Sequence, residues 1–152
     1  MTVQSFIVLY NETFRYLRDK FGPEAVYELW SALSSEWCCH LNELVAEHGL
    51  SGMQLYWGGD SGTLAREKAD FETRLTDDAF SLEMFECPSI AEIVNTGRIP
   101  MEREPSYCEH CLALYGPVAE KHGYKMDYTI DYLADGACSG RCRFIVRPAE
   151  RP

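Results

Sequence analysis

The residues from Tyr124 to Val146 constrain this chain most. Tyr124, Met126, Tyr128, Ile130 and Tyr132 alternate with Lys125, Asp127, Thr129 and Asp131. A period of two fits an extended strand with one buried face and no helix. Arg141 to Val146 alternates again, with Cys142, Phe144 and Val146 on one side. Asp135-Gly136 and Ser139-Gly140 mark the connection between them. The pattern predicts an antiparallel pair, with strands over 124–133 and 141–147 and one face turned to a core. A third strand is expected at 80–86, where Phe80, Leu82 and Met84 alternate with Ser81 and Glu83.

Helices must supply the cover. Phe6, Leu9, Thr13, Tyr16 and Leu17 form a stripe at helical spacing, predicting a helix over 4–20. Gly22-Pro23 ends it and opens the next, predicted to run unbroken over 23–48. Its apolar face carries Val26, Trp30, Leu33, Trp37, Leu41 and Leu44, with His40 packed beside it. Cys38 and Cys39 are expected to be mid-helix packing thiols. Gly49 to Gly62 reads as a loop with Gly58-Gly59 and Ser61-Gly62 as breakers, within which Leu55-Tyr56-Trp57 forms a short strand or docks on the core, and 63–77 reads as a third helix. Pro88 opens a short helix over 88–96. Ser106 and Glu109 form a capping-box pattern that starts a helix reaching Lys121. The fold expected is α+β, with N-terminal helices packed on an antiparallel sheet in one domain over residues 1–152.

The chain's chemistry concentrates in residues 80–147. Five of its seven cysteines lie there: Cys87, Cys108, Cys111, Cys138 and Cys142. The start of the chain lacks the charge and hydropathy pattern of a secretory leader, and no apolar run is long enough to span a membrane, so a cytoplasmic protein is expected. In such a setting clustered thiols point to metal binding or catalysis rather than to disulfides. A net charge of −10 disfavours nucleic acid and anionic membranes as partners. Only the end of the chain is basic, through Arg141, Arg143, Arg147 and Arg151. These arginines fit either an anion-holding group or a solvated edge strand protected by charge.

Cys87 stands where a helix N-cap is expected, and a helix start favours thiolate. It is therefore expected to be the most acidic accessible thiol. Cys108 and Cys111 share a helix face, with His110 pointing away from them. Cys142 faces inward, and Cys138 lies in the turn before it. Convergence of Cys87, Cys108, Cys111, Cys138 and Cys142 would suit zinc or an iron–sulfur cluster. The spacing, C-x2-C, 26 residues, then C-x3-C, is not that of a standard zinc ribbon.

At Glu86-Cys87-Pro88, Tyr107-Cys108, Tyr128 to Leu133 and Gly136 through Cys142-Arg143-Phe144, the chain resembles the L-2-amino-thiazoline-4-carboxylic acid hydrolase family. It departs from that family at Cys111, where an aspartate is expected, and in the additional Cys138. The resemblance implies hydrolytic opening of a cyclic amidine carboxylate, with Cys87, Cys108 and Cys142 as catalytic residues, alone or through a metal-bound hydroxide. The Cys142-Arg143-Phe144 ending also resembles the vinyl-reductase-type small-molecule-binding domains. That second likeness implies a small-molecule ligand-binding sensor. Four thiolates, Cys87, Cys108, Cys111 and Cys142, closing a metal site would likewise leave no open position for a substrate, giving a non-enzymatic metal- or ligand-binding module. Arg143 would hold a substrate carboxylate only if it reached the face opposite to the one its place in the alternation gives it.

Overall fold

The computed structural model describes residues 1–60 and 62–150. Expectations that involve Ser61, Arg151 and Pro152 lie outside the described residues. Helix α1 (Val3–Phe21) starts where the Thr2 side chain accepts a hydrogen bond from the Ser5 amide. It ends at Gly22, whose φ of 91° only glycine adopts readily. Pro23 then opens α2 (Pro23–Trp37).

The long helix expected over 23–48 is two helices. Cys38 leaves helical geometry, and α3 (Cys39–His48) starts afresh after it. The Cys38 thiol is buried and bonds the Leu114 carbonyl 3.4 Å away. No glycine or proline marks the break, so a tertiary contact overrides local propensity. Cys39 is exposed instead of packed, and so is His40.

The expected loop after Gly49 contains α4 (Leu50–Trp57). Leu50, Met53 and Trp57 share its buried face. Gly52 lets α4 lie directly on α3: a Cβ there would sit 2.2 Å from the Leu44 carbonyl oxygen. The helix expected over 63–77 is only one turn, α5 (Thr63–Arg66), followed by strand β1 (Asp70–Leu75). Lys68, at φ 56°, redirects the chain between them. In β1, half-buried Phe71 and Thr73 alternate with exposed Asp70, Glu72 and Arg74.

The later elements follow the sequence closely. They are β2 (Phe80–Glu86), α6 (Pro88–Asn95), α7 (Glu109–Lys121), β3 (Tyr124–Tyr132) and β4 (Cys138–Pro148). The Glu109 carboxylate accepts from the Ser106 amide, which is half of the expected capping box. The Ser106 hydroxyl goes instead to Tyr132 Oη, 3.0 Å away. Cys138 opens β4 opposite Tyr132, so it belongs to the sheet and not to the turn before it.

The four strands are antiparallel in the order β1-β2-β4-β3. This is the expected α+β architecture of helices on an antiparallel sheet. β4 is an inner strand, so its arginines do not guard an edge. Two cross-strand rows matter for function. Phe71, Met84, Cys142 and Ile130 form one, and Thr73, Leu82, Phe144 and Tyr128 the next. These inward rows meet Leu114 and Val118 of α7 and Met53 and Trp57 of α4. A second apolar cluster joins Phe14, Trp30, Ile93, Met101 and Tyr107. Buried Asn11 fixes the connection before α7 by accepting from the Met101 amide (2.8 Å) and donating to the Ile99 carbonyl (3.1 Å). Cys87 packs against both clusters and marks their seam. No helix among the described residues is long and apolar enough to cross a membrane.

Candidate functional site

The seam holds a partly open cavity of about 180 Å³. Its floor is the inner face of the sheet, with Leu82, Met84, Tyr128, Cys142 and Phe144. The start of α6 contributes Cys87 and Ser89, and α4 contributes Trp57. The first turns of α7 and the residues just before it add Tyr107, Cys108, His110, Cys111 and Tyr115. The sequence thus places four of the five expected cysteines around one space. Cys138 does not line it. That sulfur is buried behind Cys108, whose amide donates to it over 3.2 Å.

Shared lining is not shared coordination. No group of three or more Cys, His, Asp or Glu side chains among the described residues is gathered closely enough to hold a metal ion. This overturns the expected zinc or iron–sulfur centre on Cys87, Cys108, Cys111, Cys138 and Cys142. Thiolates around one zinc each need a bond of about 2.3 Å to the ion. Here the thiols are spread over β4, the start of α6 and the first turns of α7.

The electrostatics correct a second expectation. Cys87 is the N-cap of α6, as the sequence predicts. Yet burial pushes its thiol up to about 11, against the opposing pull of the Ile90 and Ser89 amides. Burial likewise raises Cys111 to about 11 and Cys142 to about 12, although Tyr128 hydrogen-bonds to both in the opposing sense. Tyr128 Oη donates to Cys142 Sγ across 3.4 Å. The hydroxyls of Tyr107, Tyr115 and Tyr128 are all raised well above the usual phenol range, chiefly by burial. Cys108 is raised by its hydrogen bond to Cys138 and then by burial, while Cys138 is lowered by the same bond. A thiolate nucleophile at Cys87 is therefore not favoured.

His110 faces the cavity, not away from it. The first turn leading into α7 is tight, with i to i+3 bonds from Glu109 to Ser106, His110 to Tyr107 and Cys111 to Cys108. Tighter winding turns each residue further round than a regular helix does, which brings His110 to the inner side. Its Nδ1 lies against the Tyr107 carbonyl, which can only accept, so Nδ1 carries the proton. Nε2 is then an acceptor, 3.7 Å from Cys111 Sγ. Burial lowers the imidazole's pKa and keeps it neutral.

Among the described residues the cavity wall has no lysine or arginine. Glu67 supplies its carboxylate, and burial raises that group's pKa. Arg143 lies on the opposite face of the sheet, with Glu83, Thr129, Asp131 and Arg141 around a shallow depression of about 150 Å³. Tyr128 and Tyr115 were within reach of sequence reasoning. The first shares the inward alternation of β3, and the second follows Cys111 by four residues on one helix face. For Trp57, docking on the core is one of two readings, while the helix that carries it reads as a loop.

No family model matches the chain, and no curated protein matches it. Among solved structures it is similar to the Fe(II) unliganded H-NOX protein from K. algicida, at 11% identity and a TM-score of 0.31. A mutant of that protein, also Fe(II) unliganded, matches at 10% identity and a TM-score of 0.35. Each match covers 99% of this chain and 65% of the other, so the chain spans just under two thirds of those proteins' length. Similarity at these scores bears on neither fold nor ligand.

Proposed function

We propose that this chain is a non-enzymatic binding module for a small uncharged ligand, received in the cavity between the sheet and the starts of α6 and α7. The observation that carries this reading is the composition of the wall: neutral thiols, aromatic rings and hydroxyls together with the Glu67 carboxylate and, among the described residues, no cationic side chain. A carboxylate entering such a space would lose its hydration without gaining a counter-charge. An uncharged ring loses little and gains contact with Trp57, Tyr115, Tyr128 and Phe144. A cavity of about 150 Å³ is known to admit benzene. The volume here, about 180 Å³, suits one ring with a small substituent.

The hydrolase expected from the aminothiazoline resemblance is less well supported. Its substrate carries a carboxylate, its nucleophile would have to be one of the raised thiols, and no family model matches the chain.

Thermal unfolding with matched concentrations of benzyl alcohol and benzoate tests the proposal. Benzyl alcohol should raise Tm in a concentration-dependent way while benzoate leaves it unchanged. Equal stabilisation by benzoate, no stabilisation by either, or turnover of an aminothiazoline carboxylate would overturn it.

A further inference from the structure

At the cavity wall two thiols are paired, Cys108 in the wall and Cys138 behind it. Cys108 is the N-cap of α7 and Cys138 is the first residue of β4. They are 30 positions apart in sequence. In the fold the Cys108 amide donates to Cys138 Sγ over 3.2 Å, and the Cys108 thiol also hydrogen-bonds to Cys138. A sulfur that close to the Cys108 nitrogen lies within the sweep of the Cys108 side chain. A disulfide needs Cβ atoms only about 3.5–4.5 Å apart. Both sulfurs are buried, but Cys108 also lines the partly open cavity, which gives a water-sized reagent a route to the pair.

We propose that Cys108 and Cys138 are a peroxide-responsive thiol pair, and that their oxidation to a disulfide ties the head of α7 to the start of β4 and withdraws the Cys108 thiol from the cavity wall. The roles divide by environment. Cys138 accepts hydrogen bonds from both the amide and the thiol of Cys108, which favours its thiolate. Cys108 is held as the neutral thiol. The Cys138 thiolate attacks one oxygen of hydrogen peroxide and the O–O bond breaks. The departing hydroxide takes up a proton as water, leaving Cys138 as a sulfenic acid. The Cys108 sulfur then attacks the Cys138 sulfur, the S–O bond breaks, and hydroxide leaves with the Cys108 proton as a second water. Two thiols and one peroxide give one disulfide and two waters. A dithiol such as dithiothreitol reverses the bond by exchange.

This inference does not depend on the ligand-binding proposal, and its test needs no ligand. The reduced full chain is treated with one equivalent of hydrogen peroxide, then read by intact mass and by peptide mapping. The expected product lacks two hydrogen atoms and bridges Cys108 to Cys138. Cys108→Ser should stop at a Cys138 sulfenic acid that dimedone traps. Cys138→Ser should consume peroxide at least about tenfold more slowly, with its far-UV circular dichroism unchanged. A bridge between any other two cysteines overturns the proposal. So does oxidation confined to exposed Cys39, or an unchanged mass in natively folded wild type. Should Cys138→Ser fail to fold, the wild-type peptide map decides alone.

Discussion

Residue by residue, burial outweighs local field. Cys87 has the helix start that would favour a thiolate, yet its folded pKa moves from 9.0 to about 11. Cys111 and Cys142 move the same way, to about 11 and about 12. Between the unfolded and folded values the native state binds more protons than the unfolded chain. The contribution of these three thiols to stability is therefore constant below about pH 9 and falls as pH rises toward about 12, by about 1.4 kcal/mol for each tenfold difference in proton affinity between the two states. Urea unfolding at a series of pH values should show a falling midpoint across that window. Replacing Cys87 and Cys111 with alanine should flatten the fall; a profile as steep as that of wild type would mean that other groups cause it. Exposure also reverses the expected order of alkylation. Cys39 is the exposed cysteine among those described. Brief iodoacetamide treatment should label exposed Cys39 first, read by peptide mass, and half-buried Cys87 more slowly. Labelling of Cys87 ahead of Cys39 would contradict this order.

Among the elements, legibility followed the period of the pattern. β2, β3 and β4 alternate so regularly that no helix competes, and the structure has all three. β1 was hidden because Phe71 and Leu75, four residues apart, share a face in a strand and in a helix alike. The division between α2 and α3 left no local mark, since the bond from Cys38 to the Leu114 carbonyl is made 76 residues away in sequence. The cavity was half legible for the same reason. Positions given by alternation, Cys142 and Tyr128, could be assigned inward, whereas His110 depended on the winding of one tight turn and Trp57 on an unrecognised helix. The contact between α3 and α4 permits a sharp prediction. Gly52→Ala places a methyl against the Leu44 and Val45 backbone, at 2.2 Å from Leu44 O and 2.9 Å from Val45 N, where no side chain can yield. It should cost about 3 kcal/mol by denaturant unfolding, as overpacking does. A loss below about 0.5 kcal/mol, the range of neutral surface changes, would show that the two helices are not in direct backbone contact.

At the scale of the whole molecule, two apolar clusters meet at Cys87 without closing, and the remaining space is walled by thiols, aromatic rings and hydroxyls with the Glu67 carboxylate. That arrangement separates the inner face of the sheet from its charged outer face, where Glu83, Asp131, Arg141 and Arg143 gather. The central claim is that ligand enters the inner space and not the outer depression. Backbone amide NMR spectra recorded while benzyl alcohol is added test this most directly. Shifts concentrated at Ser89, His110, Cys111, Tyr128 and Cys142 are the predicted result; shifts centred on Glu83, Asp131 and Arg143, or none anywhere, would contradict it.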